Sequence, residues 1–183
     1  MREICVASAR ACVKFESVFM KNPLVSIIVG STSDWDTMRF CAETLEKFSI
    51  PYERNVASAH RTPEKAMQLA STAKERGVKV VIAAAGGAAH LAGVLAAHTR
   101  LPIIGVPMKG WAFDGMDSLL STVQMPRGVP VLTVAVGKAG AVNAAVAALQ
   151  ILALSDEKFD AVLDDFRKKQ TQDVLNAKFP DEQ

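Results

Sequence analysis

A chain of 183 residues suits one domain, and with half of its residues hydrophobic it has the means for a sizeable core. Its 21 basic and 19 acidic residues leave a net charge of +2, and aromatics make up only 6%. That balance argues against nucleic acid, an anionic membrane surface or a base-stacking platform as partner. Cys5, Cys12 and Cys41 are odd in number and form no CxxC pair, which disfavours a disulfide framework or zinc site and fits a reducing cytoplasm. No uninterrupted apolar run reaches the ~20 residues of a membrane-spanning helix.

Residues 1–22 differ in pattern from the rest of the chain. Arg2, Glu3, Arg10, Lys14 and Glu16 interrupt the apolar residues, so the stretch lacks the core of a secretory signal. It reads as a poorly ordered or artefactual extension, with Met20 a second start, before a catalytic domain over 23–183. Leu24 to Val29 is a β-branched run of the kind found in buried parallel strands. The turn Gly30–Trp35 comes next, where Ser33 and Asp36 have the spacing of a capping box, and then a helix to about Phe48 with Trp35, Met38, Leu45 and Phe48 as its buried positions. Pro51 opens a second strand, Tyr52 to Ala57. Ser58-Ala59-His60-Arg61-Thr62-Pro63 is a strand-to-helix turn, with Thr62 as N-cap and proline at the first helical position.

The helix from Pro63 runs to about Arg76 and ends at Gly77. Val78 to Ala84 is the third strand, Ala85–His90 its turn, and a helix continues to about Thr99 with His90 inside its first turn. Pro102 to Val106 is the fourth strand, Lys109–Gly115 a loop, Met116–Val123 a short helix and Gln124–Gly128 a second loop. Val131 to Val136 is the fifth strand. Gly137–Gly140 turns into a helix to about Leu154, in which only Asn143 and Gln150 are polar. A helix apolar on all sides is buried all round, so one face is expected to meet another subunit. An amphipathic helix over about Asp156 to Gln172 closes the chain. The strict β-α alternation implies a parallel sheet with helices on both faces.

Three turns carry the chemistry. In a parallel α/β sheet they all lie at the carboxyl ends of the strands, where ligands bind. Ser31, Thr32 and Ser33 offer hydroxyls and backbone N–H groups at a helix N-terminus, which suits a phosphate, and Asp34 can accept from sugar hydroxyls. Simple capping would use the same residues. Gly86 and Gly87 remove side chains where a helix begins, so backbone N–H groups can approach an anion or carboxylate. His90 either faces that site or packs. His60 and Arg61 set a near-neutral titrating group beside a fixed cation. No GxGxxG, GxxxxGK[ST], HExxH or GxSxG occurs, and no metal-ligand cluster. What remains is an anion-binding cleft with a histidine, suited to proton transfer on a phosphorylated small molecule.

Gly30–Trp35 (GSTSDW), Ser58–Pro63 (SAHRTP), Gly86–Leu91 (GGAAHL), Asp117–Leu119 (DSL), Val123–Arg127 (VQMPR) and Gly137–Ala141 (GKAGA), in order over about residues 24–172, resemble the N5-carboxyaminoimidazole ribonucleotide mutase family, class I PurE of bacterial type. The resemblance implies a three-layer, doubly wound, flavodoxin-like fold on a five-stranded parallel sheet, with an additional C-terminal helix. It implies conversion of N5-carboxyaminoimidazole ribonucleotide to 4-carboxy-5-aminoimidazole ribonucleotide in purine (IMP) synthesis, without cofactor, metal or ATP, by a cytoplasmic homo-octamer with sites at subunit boundaries.

By the same likeness Ser31, Ser33 and Arg61 hold the 5′-phosphate and Asp34 the ribose. Ser58, Gly86 and Gly87 line the base and carboxylate pocket, and His60 is the general acid and base. Two positions depart from the family's pattern. Ala92 stands where proline is usual, an expected loosening of the helix start. Ala84 stands where glycine is usual, an expected narrowing of the pocket floor. The nearest rival is the related carboxylase that uses free CO2, whose members typically carry lysine and glycine where Arg61 and Thr62 stand and lack GGAAH. A nucleotide- or flavin-binding module without catalysis is a rival of another kind, with no need of His60.

Overall fold

The computed structural model describes residues 22–110 and 112–179, so the extension expected over 1–22 lies, apart from Asn22, outside the described residues. The β-branched runs become strands β1 (Val25–Val29), β3 (Val80–Ala85) and β4 (Ile103–Pro107), nearly all buried; β2 (Tyr52–Val56) is half-buried. Together with β5 (Leu132–Thr133) they form one parallel sheet in the order β2-β1-β3-β4-β5. This is the flavodoxin-like order, whose strand succession reverses between β1 and β3 and opens a crevice at their carboxyl ends.

Among the described residues there are six α-helices: α1 (Trp35–Lys47), α2 (Pro63–Ser71), α3 (Leu91–Ala97), α4 (Met116–Val123), α5 (Gly137–Ala153) and α6 (Glu157–Leu175). Alternation along β1 sends Val25, Ile27 and Val29 to one face, where Met38, Leu45 and the alanines of α5 meet them. Ile28 goes to the other face, against Ala66 and Ala70 of α2 and Leu91 and Leu95 of α3. The period of two in the strands therefore sorts the core into two layers. Met38, Leu45 and Phe48 are buried as expected, while Trp35 is half-buried under the Arg54 guanidinium. Helix α6 adds an outer layer, with Phe166 edge-on to Phe48 at 5.1 Å and Phe159 buried.

Several expectations need correction. The fifth strand pairs only at Leu132 and Thr133 rather than over Val131–Val136. It is an edge strand with one neighbour, and the chain must bend away at Ala135 to start α5. Helix α5 begins at Gly137 itself, and the bend brings Ala135 O so close to Gly140 that a Cβ there would lie 1.6 Å from it. Only glycine fits at that approach. Most of the apolar surface of α5 is covered within the monomer by α1, α6 and the sheet; Asn143 and Gln150 lie outside with Lys138 and Ala139, and Val142, Ala147 and Ile151 are half-buried. Exposed apolar side chains instead collect around α4: Phe113, Met116, Leu120, Val123 and the neighbouring edge residue Leu132. Ala92 does not disrupt α3, since it is the second helical residue and buried. Ala84 is fully buried in the α1/α5 layer and lines no part of the crevice, so it does not narrow the pocket.

Candidate active site

The crevice at the reversal point is a cavity of about 480 Å³. Its wall contains Ser31, Ser33 and Asp34 from the turn after β1, Ser58, His60 and Arg61 from the turn after β2, and Gly86, Gly87 and His90 from the turn after β3; Thr32, whose hydroxyl the sequence also offered for a phosphate, is not part of it. Residues far apart in sequence meet because parallel strands all deliver their following turns to the same edge of the sheet.

The serine-rich turn is built differently from the capping box expected at Ser33 and Asp36. A short 3₁₀ turn, Thr32–Asp34, precedes α1, so the box closes on Ser31 and Asp34 instead. Ser31 Oγ accepts from Ser33 N at 3.3 Å, and the Asp34 carboxylate accepts from Ser31 N at 3.1 Å. The N–H groups of Ser31 and Ser33 are thereby spent, and what the turn presents is a pair of hydroxyls 2.9 Å apart. Burial pushes the Asp34 carboxyl above the ordinary carboxylate range; the hydrogen bond from Ser31 and the charge of Arg61 work against that rise without cancelling it.

The turn after β2 is held by its own side chains. Pro63 is the first helical residue of α2, as expected, but the Thr62 hydroxyl does not cap the helix. It accepts from Ser58 N at 2.9 Å and donates to Ser58 O at 3.2 Å, closing the loop on itself. Ser58 Oγ accepts from Arg61 N at 3.2 Å and lies 3.4 Å from Arg61 Nε. The other arm of the guanidinium donates to Gly30 O at 3.2 Å, tying the β2 turn to the β1 turn. Arg61 thus places a fixed positive charge beside the two serine hydroxyls.

His60 projects from this turn toward His90. Their Nε2 and Nδ1 atoms are 2.8 Å apart, with rings nearly perpendicular and centroids 4.9 Å apart. One ring donates and the other accepts, so the two histidines share a proton-carrying hydrogen bond at the solvent edge of the cavity. His90 is the N-cap of α3, one residue before the helix, and not inside its first turn as expected. That position aims it across the crevice. Below it, Gly87 has φ +63°, a conformation that favours glycine. Among the described residues, the N–H groups of Gly87 and Ala88 donate to no other atom of the chain.

Sequence motifs do not point to Met108, Lys109 and Gly110, which complete the wall after β4. The position of a turn after the strand next to the crevice was the available signal. Lys109 pairs with Asp114 at 2.8 Å, both exposed. Among the described residues no group of three or more histidine, cysteine or acidic side chains could hold a metal, and no helix is long and apolar enough to cross a membrane.

Strand order, crevice and wall together define a flavodoxin-like α/β protein with its ligand cleft at the reversal point of the sheet. Residues 24–173 match the family described as AIR carboxylase, and the chain belongs to that family. It is 57% identical to an N5-carboxyaminoimidazole ribonucleotide mutase of Bacillus subtilis, over 85% of this chain and 96% of that protein. The identity to the protein of the same name in Escherichia coli is 53%, over 85% and 92%. Its fold superposes on the crystal structure of Treponema denticola PurE with a TM-score of 0.76, at 27% identity and covering 84% of this chain and 94% of that one.

Proposed function

We propose that this chain is an isomerase that moves the carboxyl group of N5-carboxyaminoimidazole ribonucleotide from the exocyclic nitrogen to ring carbon C4, in purine biosynthesis. The curated relatives carry the name of that mutase. The observation that supports the assignment of roles is the convergence on one cavity of a hydroxyl pair beside a guanidinium, a free-amide glycine turn and a hydrogen-bonded pair of histidines.

In this reading Ser31, Ser33 and Arg61 hold the 5′-phosphate as charge-assisted donors, and Asp34 accepts from the ribose hydroxyls. Ser58, Gly86 and Gly87 line the base and carboxylate pocket. The bond between the exocyclic nitrogen and the carboxyl carbon breaks, releasing CO2 into the pocket, while protonated His60 gives its proton to that nitrogen. Ring carbon C4 then attacks the retained CO2, and the proton leaving C4 returns to His60. Imidazole is the side chain suited to both transfers, since its reference pKa of about 6.5 lets it give and take a proton at neutral pH. Retention makes recombination effectively intramolecular, which removes much of its entropic cost. His90 holds the His60 ring in place and fixes which of its nitrogens carries the proton.

The same reading takes residues 23–183 as a single catalytic domain preceded by an extension over 1–22, working in the cytoplasm as a homo-octamer. The apolar side chains around α4 are the surface that supports association.

The test is an assay of the purified chain with the N-carboxylated ribonucleotide, with and without added bicarbonate. Turnover indifferent to bicarbonate is expected. Turnover only from the uncarboxylated ribonucleotide plus bicarbonate would mean a carboxylase, and a yellow, inactive protein would mean a flavin-binding module.

A further inference from the structure

Helix α4 contributes nothing to the cavity wall, yet one of its hydroxyls grips the turn that does. Ser121 Oγ accepts from Ala89 N at 2.9 Å and lies 2.7 Å from Asp117 O and 3.1 Å from Gly87 O. The contact with Asp117 O is the usual back-bond of a serine within a helix. Acceptance from Ala89 N is separate from it, because a hydroxyl donates once and accepts twice. The oxygen therefore sits against both ends of the three-residue arch Gly87–Ala89.

This grip has two effects. The arch is held in the shape in which Gly87 takes φ +63° and the N–H groups of Gly87 and Ala88 stay without an acceptor in the described chain. It also fixes the next residue, His90, whose Nδ1 is 2.8 Å from His60 Nε2.

We propose that Ser121 is a positioning residue for the carboxyl transfer, acting through the Gly87–Ala89 arch to hold the seat of the migrating carboxyl group and to set His90 against His60. This inference rests on the mutase reading above. Thr122, its neighbour, supplies the control. Its hydroxyl donates to Ser118 O at 2.7 Å inside the same helix and touches no part of the arch.

The experiment compares the wild-type chain with Ser121→Ala, Ser121→Thr and Thr122→Val. It measures kcat, KM, thermal midpoint and the ratio of rearranged product to decarboxylated ribonucleotide. Ser121→Ala should lower kcat/KM ten- to a hundred-fold, as small misplacements of positioning groups do, and shift the product ratio toward decarboxylation because CO2 escapes. Ser121→Thr should restore most of both, and Thr122→Val should stay within about twofold of wild type. If Ser121→Ala is less stable, the product ratio is read at a temperature where it is folded. Wild-type kcat/KM and product ratio in Ser121→Ala, or an equal loss in Thr122→Val, would overturn the proposal. A wild-type chain that does not rearrange the substrate would sink the mutase reading instead. The arch would then still be decided by amide exchange at Ala89, expected slow in wild type and faster in Ser121→Ala, with equal exchange in both overturning it.

Discussion

The molecule holds two polar clusters that resemble each other in composition and differ in how they use their hydrogen bonds. At the α2 side of the sheet, the buried Glu53 carboxylate accepts from Ser26 Oγ at 2.8 Å and from two nitrogens of Arg76, at 2.8 and 3.2 Å. Arg76 in turn donates to Leu69 O at 3.0 Å and to the Thr72 hydroxyl. That cluster is closed: both charges spend their capacity on partners inside the protein. In the crevice, Arg61 touches only a serine oxygen and a carbonyl, the Ser31 and Ser33 hydroxyls face each other, and two amides of the glycine arch have no acceptor among the described residues. That cluster is open. Closed polar groups stabilise a fold, and leaving capacity unspent costs stability unless a ligand completes it. The degree of satisfaction, more than the presence of charge, separates scaffold from site.

The strongest way to break this distinction is at His60. Replacing His60 with Asn removes the group that carries the proton but keeps a polar side chain at an exposed position. Turnover should fall by at least the 10²–10⁴-fold typical of general acid–base catalysis, with the thermal midpoint nearly unchanged. A variant with near-native turnover would remove His60 from the chemistry; a large loss of midpoint would move it to the closed class. The opposite behaviour is expected of Glu53. Glu53→Gln leaves Arg76 facing a neutral amide in a largely buried setting. Discounting for the partial exposure of Arg76, the loss should be about 2 kcal/mol, a drop in midpoint of roughly 4–8 °C, with kcat and KM unchanged. Thermal unfolding and steady-state kinetics on the same preparation check both halves.

The sequence carried the open cluster further than the closed one. Glycine, proline and serine punctuate the chain where the first three strands end, and parallel topology sends those ends to one edge, so the crevice residues of those three turns could be named in advance. Finer geometry depended on facts that are not local. The 3₁₀ turn that shifts the cap from Ser33 to Ser31 leaves no mark in the local residue pattern, which fits a box on either serine. The shortness of β5 follows from its place at the edge of the sheet and from the collision that Gly140 avoids. The cover over α5 comes jointly from α1, α6 and the sheet, which its apolar composition alone could not reveal. The Glu53–Arg76 pair joins residues 23 positions apart, and nothing local in the sequence distinguishes it from two solvated charges. Lys109 and Gly110 reach the cavity through a loop with no motif to mark it.

Asp34 sharpens the comparison because it belongs to both classes: its carboxylate caps the Ser31 amide and also lines the crevice. Its pKa decides which role dominates. Folding raises that pKa above the ordinary value of 3.8, chiefly by burial, so the folded chain holds the proton more tightly than the unfolded one. With more protons bound in the folded state, stability falls as pH rises from the ordinary carboxyl value through the raised one, and the cost of the buried charge persists at neutral pH. Asp34→Asn keeps an oxygen to accept from Ser31 N and removes the charge. The variant should therefore equal or exceed the wild-type thermal midpoint at pH 7, with the difference shrinking as pH falls below the raised value. Its KM should rise about tenfold, the worth of one charge-assisted hydrogen bond to a sugar hydroxyl. A variant less stable than wild type at pH 7 with an unchanged KM would show that the carboxylate is held for the fold alone, and Asp34 would join Glu53 on the closed side.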